Sequence, residues 1–244
     1  MKTILAYILT AIFYFNFLLL LVIFHPIQVL CYHLGGYGSH KRSVEILNFL
    51  LINNLRVLGC SIRFEGFDNI PNDKPYIIVS NHQSTMDIPP VVWALRNIHP
   101  KFISKIELAK GIPSISYNLR KGKSALIDRK NGSQSIREII RLGRYIQQNN
   151  YSACIFPEGT RSKTGKMRRF QAGGIQTLLK VAPSAHILPM VVDGNYQLEK
   201  NGKFPLTLGA KLSYKILKPI NPKDYDQEQL IKEVEQQIRQ ELNQ

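Results

Sequence analysis

The sequence predicts an α/β sandwich with a largely parallel sheet, preceded by an N-terminal membrane segment. Three observations carry that reading. From Ser61 onward, short apolar, β-branched runs alternate with amphipathic helical stretches, which is the pattern of βαβ units. Polar segments follow several of the strand runs directly, at the strand ends where open α/β sheets bind ligands. Residues 4–24 form a stretch of 21 residues without a charge, in which only Thr10 and Asn16 are strongly polar.

As a helix, residues 4–24 would be about 31 Å long at 1.5 Å per residue, close to the ~30 Å hydrocarbon core of a bilayer. A secretory leader would have a shorter apolar region followed by a small-residue cleavage site. His25-Pro26-Ile27-Gln28-Val29-Leu30-Cys31 offers no such site. A retained membrane segment is expected, either spanning the bilayer or forming a hairpin in one leaflet. Pro26 is expected to break the helix, with a second apolar piece over residues 27–34 and a flexible joint over residues 35–40. Lys41 and Arg42 then mark the cytoplasmic side. Residues 44–58 are helical in pattern and very apolar, fitting either a core helix or a helix laid on the membrane surface. Residues 1–60 thus read as anchor and interfacial helices, and residues 61–244 as one globular domain.

Within that domain, residues 61–67 read as a strand ended by Asp68-Asn69-Ile70-Pro71. Residues 76–80 form a buried strand, followed by a helix after Asp87, since Ile88-Pro89-Pro90 fits a helix only in its first turn. Residues 101–104 are a third strand, followed by short helical pieces broken at Gly111 and Pro113. Residues 125–128 are a fourth strand, after which Ser133 caps a helix through Gln148. Residues 153–156 are a fifth strand, 173–181 a helix, 187–192 a sixth strand, and 206–216 further β structure. Residues 226–242 close the chain as an amphipathic helix.

Charge and cysteine content narrow the chemistry. The formal net charge is +15, and residues 101–180 carry 17 Lys and Arg against 4 Asp and Glu. Such a field attracts phosphate, in nucleic acid, anionic lipid or a small ligand; the plainer reading is a solvated basic surface. No aromatic-and-basic recognition motif supports nucleic acid. Three scattered cysteines, Cys31, Cys60 and Cys154, suggest reduced thiols and no zinc site.

Three polar segments fall at strand ends, the His82 loop, Asp128-Arg129 and the turn after Phe156, and the first and third carry candidate chemistry. Asn81-His82-Gln83-Ser84-Thr85-Met86-Asp87 follows the second strand. A loop that folds back would bring the Asp87 carboxylate to one imidazole nitrogen of His82, leaving the other free as a base. The plainer reading is a polar loop with a helix cap at Ser84 or Asp87. Phe156-Pro157-Glu158-Gly159-Thr160-Arg161-Ser162 follows the fifth strand. Gly159 permits an unusual backbone angle, and Arg161 has the fork geometry for a phosphate monoester, or Glu158 and Arg161 pair with each other. Lys163, Lys166, Arg168 and Arg169 follow, enough to attract an anionic head group or carrier.

These segments resemble the motifs of the glycerolipid acyltransferases. Residues 81–87 fit that family's Asn-His-x-x-x-x-Asp motif. Ala125-Leu126-Ile127-Asp128-Arg129 is similar to its second motif, Phe156 to Ser162 to its third, and Ile187-Leu188-Pro189-Met190-Val191-Val192 to its fourth. The order and approximate spacing agree over about residues 63–192. Phe64-Glu65-Gly66 and Asn69-Ile70-Pro71 resemble 1-acylglycerol-3-phosphate acyltransferases in particular. One departure stands in the second motif, where the family's glycine five residues before the Asp is Lys123 here, with Gly122 one position earlier.

The resemblance implies an acyltransferase-like sandwich and a reaction at the membrane. His82, held by Asp87, would take the proton from the sn-2 hydroxyl of lysophosphatidic acid. The alkoxide would attack the thioester of acyl-carrier protein or acyl-CoA, giving phosphatidic acid with no acyl-enzyme. Arg161 and Arg129 would hold the substrate phosphate, with Glu158, Gly159 and Thr160 shaping the acceptor site and Glu158 orienting the glycerol. Lys105 or nearby N–H groups would steady the oxyanion. No metal and no cofactor beyond the acyl donor is expected, and no nucleic-acid partner. The catalytic domain would face the cytoplasm. Other acceptors, glycerol-3-phosphate or a lyso-aminolipid, fit the same motifs. A non-catalytic, membrane-tethered binder of anionic lipid fits the charge alone.

Overall fold

A computed structural model describes residues 2–68 and 70–244; Asn69, in the turn expected after the first strand, lies outside the described residues. The expected α/β architecture is present. Seven strands form one sheet: β1 (Ser61–Glu65), β2 (Tyr76–Ser80), β3 (Pro100–Lys105), β4 (Ala125–Ile127), β5 (Ser152–Ile155), β6 (His186–Asp193) and β7 (Lys211–Ile216). Their spatial order is β1-β7-β6-β2-β5-β3-β4. Every neighbouring pair is parallel except β6 and β7.

The alternation of β2 sorts the core into two layers. Ile77 and Val79 face one side, where they pack with α4 (Gly132–Asn149), α5 (Ala172–Val181) and α6 (Gln227–Glu241) through residues such as Leu142, Leu178 and Val234. Tyr76 and Ile78 face the other side, against α2 (Ile88–Ala94) through Val91, the N-terminal helix α1 (Lys2–Asn54) through Phe13, and the turn after it through Leu55. All five residues of β2 are buried, as expected for a central parallel strand covered on both faces. The remaining helix, α3 (Ile115–Lys121), lies between β3 and β4 in sequence.

Several local expectations need correction. Pro26 does not break the N-terminal helix, which runs through it. Packing on both flanks outweighs the missing N–H: Phe24 and Gln28 are buried, and the Leu21 carbonyl accepts from Ser114 Oγ at 2.7 Å. The chain reverses instead at Gly36, at φ 68° and ψ −163°, a region open essentially to glycine alone. The expected joint over residues 35–40 is therefore a single sharp reversal within a helical hairpin. Its arms meet through Leu21, Phe24, Leu47 and Leu51, and Asn54 Nδ2 donates to the Phe13 carbonyl at 3.0 Å. The cap of α4 is Asn131, which accepts from the Gln134 N–H, rather than Ser133. Residues 206–209 are loop, and the last strand begins only at Lys211.

The hairpin lies along the globular part. Thr10 accepts from the Leu206 N–H at 2.9 Å, Tyr14 donates to the Lys203 carbonyl at 2.9 Å, and the Ser114 N–H donates to His25 Nδ1 at 3.1 Å. The second arm buries Leu47 and Leu51, as expected of a core helix, but exposes Ile46 and Phe49. On the first arm, Ile8, Ile12, Phe15, Leu19, Val22 and Leu30 recur at helical spacing and are all exposed. Only 22% of the most apolar window of this helix is buried. The reversal is fixed to the sheet by a buried polar cluster, where Lys101 meets Tyr37 and His99 and Tyr37 bonds His99 Nε2 at 2.8 Å.

Candidate active site

The site forms beyond the carboxyl ends of β2 and β5, which are neighbours in the sheet. After Ser80 the β2–β6 ladder continues through a side chain. Asn81 Nδ2 donates to the Val192 carbonyl at 2.7 Å, and the Val192 N–H donates to Asn81 Oδ1 at 2.8 Å. This lashes the start of the loop to β6. Ser84 then caps a short 3-10 turn, Thr85–Asp87, with a reciprocal capping box to Asp87. The tight turn is what folds Asp87 back, since five residues of regular helix would have pointed it roughly 140° away.

The result is a His–Asp pair. His82 Nδ1 lies 2.7 Å from Asp87 Oδ2, with the histidine side chain 16% exposed and the aspartate fully buried. The Gln83 and Ser84 N–H groups also donate to the carboxylate, at 2.7 and 3.0 Å. The Phe156 ring stacks on the imidazole at a centroid distance of 4.2 Å. A tethered Nδ1 fixes the tautomer and leaves Nε2 as the acceptor. The capping and the pairing, two alternatives in the sequence, are one arrangement: Ser84 makes the turn that brings Asp87 to His82.

Glu158 takes a different place from that expected. It is 3% exposed, with Oε1 accepting from the His82 N–H and Oε2 from the Arg168 N–H, both at 2.8 Å. Burial pushes its carboxyl up, and the Arg168 and His82 N–H groups pull it back down. Both oxygens are engaged by main chain. Together with the bond from the Ser162 N–H to the His82 carbonyl at 2.8 Å, they staple the β5 loop to the β2 loop. Gly159 adopts φ 69°, the conformation its position in the turn required.

Arg161 and Thr160 are exposed beside that staple. Arg161 makes no hydrogen bond or ion pair with a described residue, so the alternative Glu158–Arg161 pair is not formed. Arg129 and Lys105 are also exposed and unpaired among the described residues. Arg129 follows β4 and Lys105 ends β3, three and two strands from β2 in the sheet, or on the order of 14 and 10 Å across it at ~4.8 Å per strand. Lys123, which replaces the family glycine, itself adopts φ 63°. That left-handed conformation before β4 is strained for a residue with a side chain. Among the described residues, no group of three or more His, Cys, Asp and Glu side chains converges as a metal site would.

Two residues with a place in the site went unread in the sequence. Asn195 donates to Asp87 Oδ1 at 2.6 Å, and Tyr214 bonds Asn195. Asn195 stands just past the carboxyl end of β6, where a polar residue is a weak signal. Nothing local distinguishes Tyr214 from an ordinary core tyrosine.

Comparison with known proteins bears on this geometry. Residues 61–193 match the family model described as Acyltransferase. A 1-acyl-sn-glycerol-3-phosphate acyltransferase from Cocos nucifera is 31% identical over 177 residues, covering 71% of this chain and 54% of the relative. The 1-acyl-sn-glycerol-3-phosphate acyltransferase alpha of Mus musculus is 24% identical over 184 residues, covering 75% of this chain and 63% of the relative. The chain thus spans between about half and two thirds of those curated relatives. The crystal structure of the 1-acyl-sn-glycerophosphate (LPA) acyltransferase PlsC from Thermotoga maritima superposes with a TM-score of 0.83 at 28% identity, over 100% of this chain and 97% of that one.

Proposed function

The chain belongs to the acyltransferase family, and on that premise we propose that it moves a fatty acyl group from a thioester donor to the sn-2 hydroxyl of 1-acyl-sn-glycerol-3-phosphate. The observation that carries this reading is the 2.7 Å contact between His82 Nδ1 and Asp87 Oδ2, one strand away from the unpaired guanidinium of Arg161. His82 Nε2 accepts the proton of the acceptor hydroxyl as its oxygen attacks the thioester carbonyl. Asp87 stabilises the imidazolium that results. The tetrahedral intermediate collapses with loss of the thiolate, which takes the proton from His82. The carbonyl passes from sulfur to oxygen directly, so no acyl-enzyme forms.

Arg161 holds the phosphate of the acceptor by a paired contact. Arg129 and Lys105 lie further along the strand ends and meet the more distant parts of the bound substrates. The basic loop after Ser162 receives the donor, acyl-carrier protein or acyl-CoA, both of which are acidic.

The acceptor is a lipid, and the apolar stripe of α1 suits its setting. Bonds to Leu206, Lys203 and Ser114 hold the first arm alongside the domain, which supports a hairpin lying in the membrane interface, with the catalytic domain on the cytoplasmic side, over one that crosses the bilayer. An apolar face laid about 5–10 Å into the headgroup boundary anchors without spanning. Holding the site at the interface avoids extracting the acyl chain fully, at roughly 0.8 kcal/mol per CH₂.

The test is thiol release by the purified protein with 1-acyl-sn-glycerol-3-phosphate, glycerol-3-phosphate or no acceptor. Release should depend on the first, and His82→Ala should lower it by about 10²–10⁴-fold. Near-parental turnover of His82→Ala would exclude the mechanism.

A further inference from the structure

A turn beyond the matched family region reaches back under the His82 loop. At Gly194 the backbone has φ 84°, and a Cβ there would stand 1.9 Å from the Lys211 carbonyl oxygen, so the turn admits only glycine. It delivers Asn195, which is fully buried. Asn195 Nδ2 lies 2.6 Å from Asp87 Oδ1 and 2.8 Å from the Tyr214 hydroxyl. The Tyr214 hydroxyl in turn donates to Asn195 Oδ1 at 3.0 Å. Tyr214 comes from β7, is fully buried and stacks on Phe64.

The hydrogen bonds can be assigned without ambiguity. A carboxylate only accepts, so the Asn195 amide must present its NH₂ to Asp87. Its oxygen then needs a donor, and the Tyr214 hydroxyl is that donor. The amide cannot flip without setting oxygen against oxygen at Asp87. Oδ2 of Asp87 serves His82, Gln83 and Ser84. Among the described residues, Oδ1 has only Asn195 and a longer bond from the Ser84 N–H at 3.1 Å. Removing Asn195 would leave that oxygen under-supported in a fully buried position, and the carboxylate free to turn.

We infer that Asn195 and Tyr214 are positioning residues for acyl transfer, a buried relay that fixes which oxygen of Asp87 faces His82. The inference rests on His82 being the base. It deepens that reading by giving β7, which carries none of the recognised motifs, a part in the chemistry.

The test uses the full chain in lipid or detergent, measuring kcat and both Michaelis constants. Asn195→Ala should lower kcat by about ten- to a hundredfold, the range for a buried acceptor left without its donor, with both Michaelis constants within about twofold. Tyr214→Phe keeps the ring and its stacking on Phe64, so it should fold normally and lose kcat by roughly three- to tenfold. In an Asp87→Asn background, Asn195→Ala should cost less than about threefold, because residues acting as a unit are not additive. Should Asn195→Ala fail to fold, Tyr214→Phe alone and in the same background decides. Folded variants with parental kcat overturn the inference, and so does a loss that simply multiplies with that of Asp87→Asn. If His82→Ala keeps its activity, the base assignment itself is wrong; if only the Asn195 and Tyr214 variants do, this inference alone falls.

Discussion

Replacing Glu158 by Gln tests whether this buried carboxylate holds the site together or touches the substrate. In the native protein its two oxygens accept from the His82 and Arg168 N–H groups, each at 2.8 Å. Gln keeps one acceptor. Whichever N–H meets the amide nitrogen loses a charge-assisted bond, at about 1.5–3 kcal/mol, and is left buried without a partner, at about 1–3 kcal/mol. Relief of the burial that raises the carboxyl offsets part of this. A net loss of about 2–4 kcal/mol remains, which for a chain of this size lowers the melting temperature by roughly 5–15 °C. The backbone of His82 shifts with it, and a displacement of about 1 Å at a reacting group costs on the order of 10²-fold in turnover. The assay is thermal unfolding in lipid, alongside kcat and the acceptor Michaelis constant. A melting temperature within about 2 °C of the parent, with the whole effect in the acceptor Michaelis constant, would refute the structural role and return Glu158 to the substrate.

Arg161→Ala should raise the acceptor Michaelis constant by about ten- to a hundredfold, the worth of charge-assisted bonds to phosphate, while the donor constant and the melting temperature stay put. Arg161→Lys should recover only part; equal effects on both substrates would sink the assignment. Burial, with Lys41 nearby, pushes the Lys101 ammonium from 10.5 down to about 7. The unfolded chain therefore binds the extra proton between those values, and stability should rise with pH across that window. Melting temperature should climb from about pH 7 to about pH 9, and Lys101→Met should flatten the climb; an unchanged slope in that variant rules the explanation out. Gly36→Ala meets no atom within 4 Å, so its effect is purely torsional, at about 1–3 kcal/mol. It should loosen the hairpin and speed proteolysis between the arms, and parental protection would show that the reversal tolerates a side chain.

What could be read from the chain alone depended on range. The buried strand over residues 76–80 and the polar loops after it follow from local pattern, and the structure keeps those strand bounds. The His82–Asp87 contact was legible only as one option, because a regular helix forbids it and only the Ser84-capped turn allows it. Pro26 misled because its usual penalty is reckoned for an isolated helix, whereas here the flanking turns are packed and accept from Ser114 through the Leu21 carbonyl and His25 Nδ1. Glu158 looked like a binding residue because a carboxylate in a polar loop gives no hint of the two N–H groups that enclose it. The least visible feature was the insertion of β7 between β1 and β6, parallel to the first and antiparallel to the second. It is a pairing of distant segments, and with it went Asn195 and Tyr214.

That insertion sets a timetable for making the protein. β1 has a single sheet neighbour, β7, which leaves the ribosome roughly 150 residues later, about 8–30 s at ordinary rates of synthesis. During that interval Ser61–Glu65 is an unpaired edge, and its own sequence suits the wait. Arg63 and Glu65 bear charge and form an ion pair at 2.7 Å in the finished protein, and charged edge strands resist joining other chains. The same delay withholds Tyr214. A chain interrupted before residue 211 would carry the His82 and Arg161 loops but lack β7, so β1 would have no sheet neighbour and Asn195 would lack its bond from Tyr214, and premature termination should yield a product with an unfinished sheet and impaired turnover.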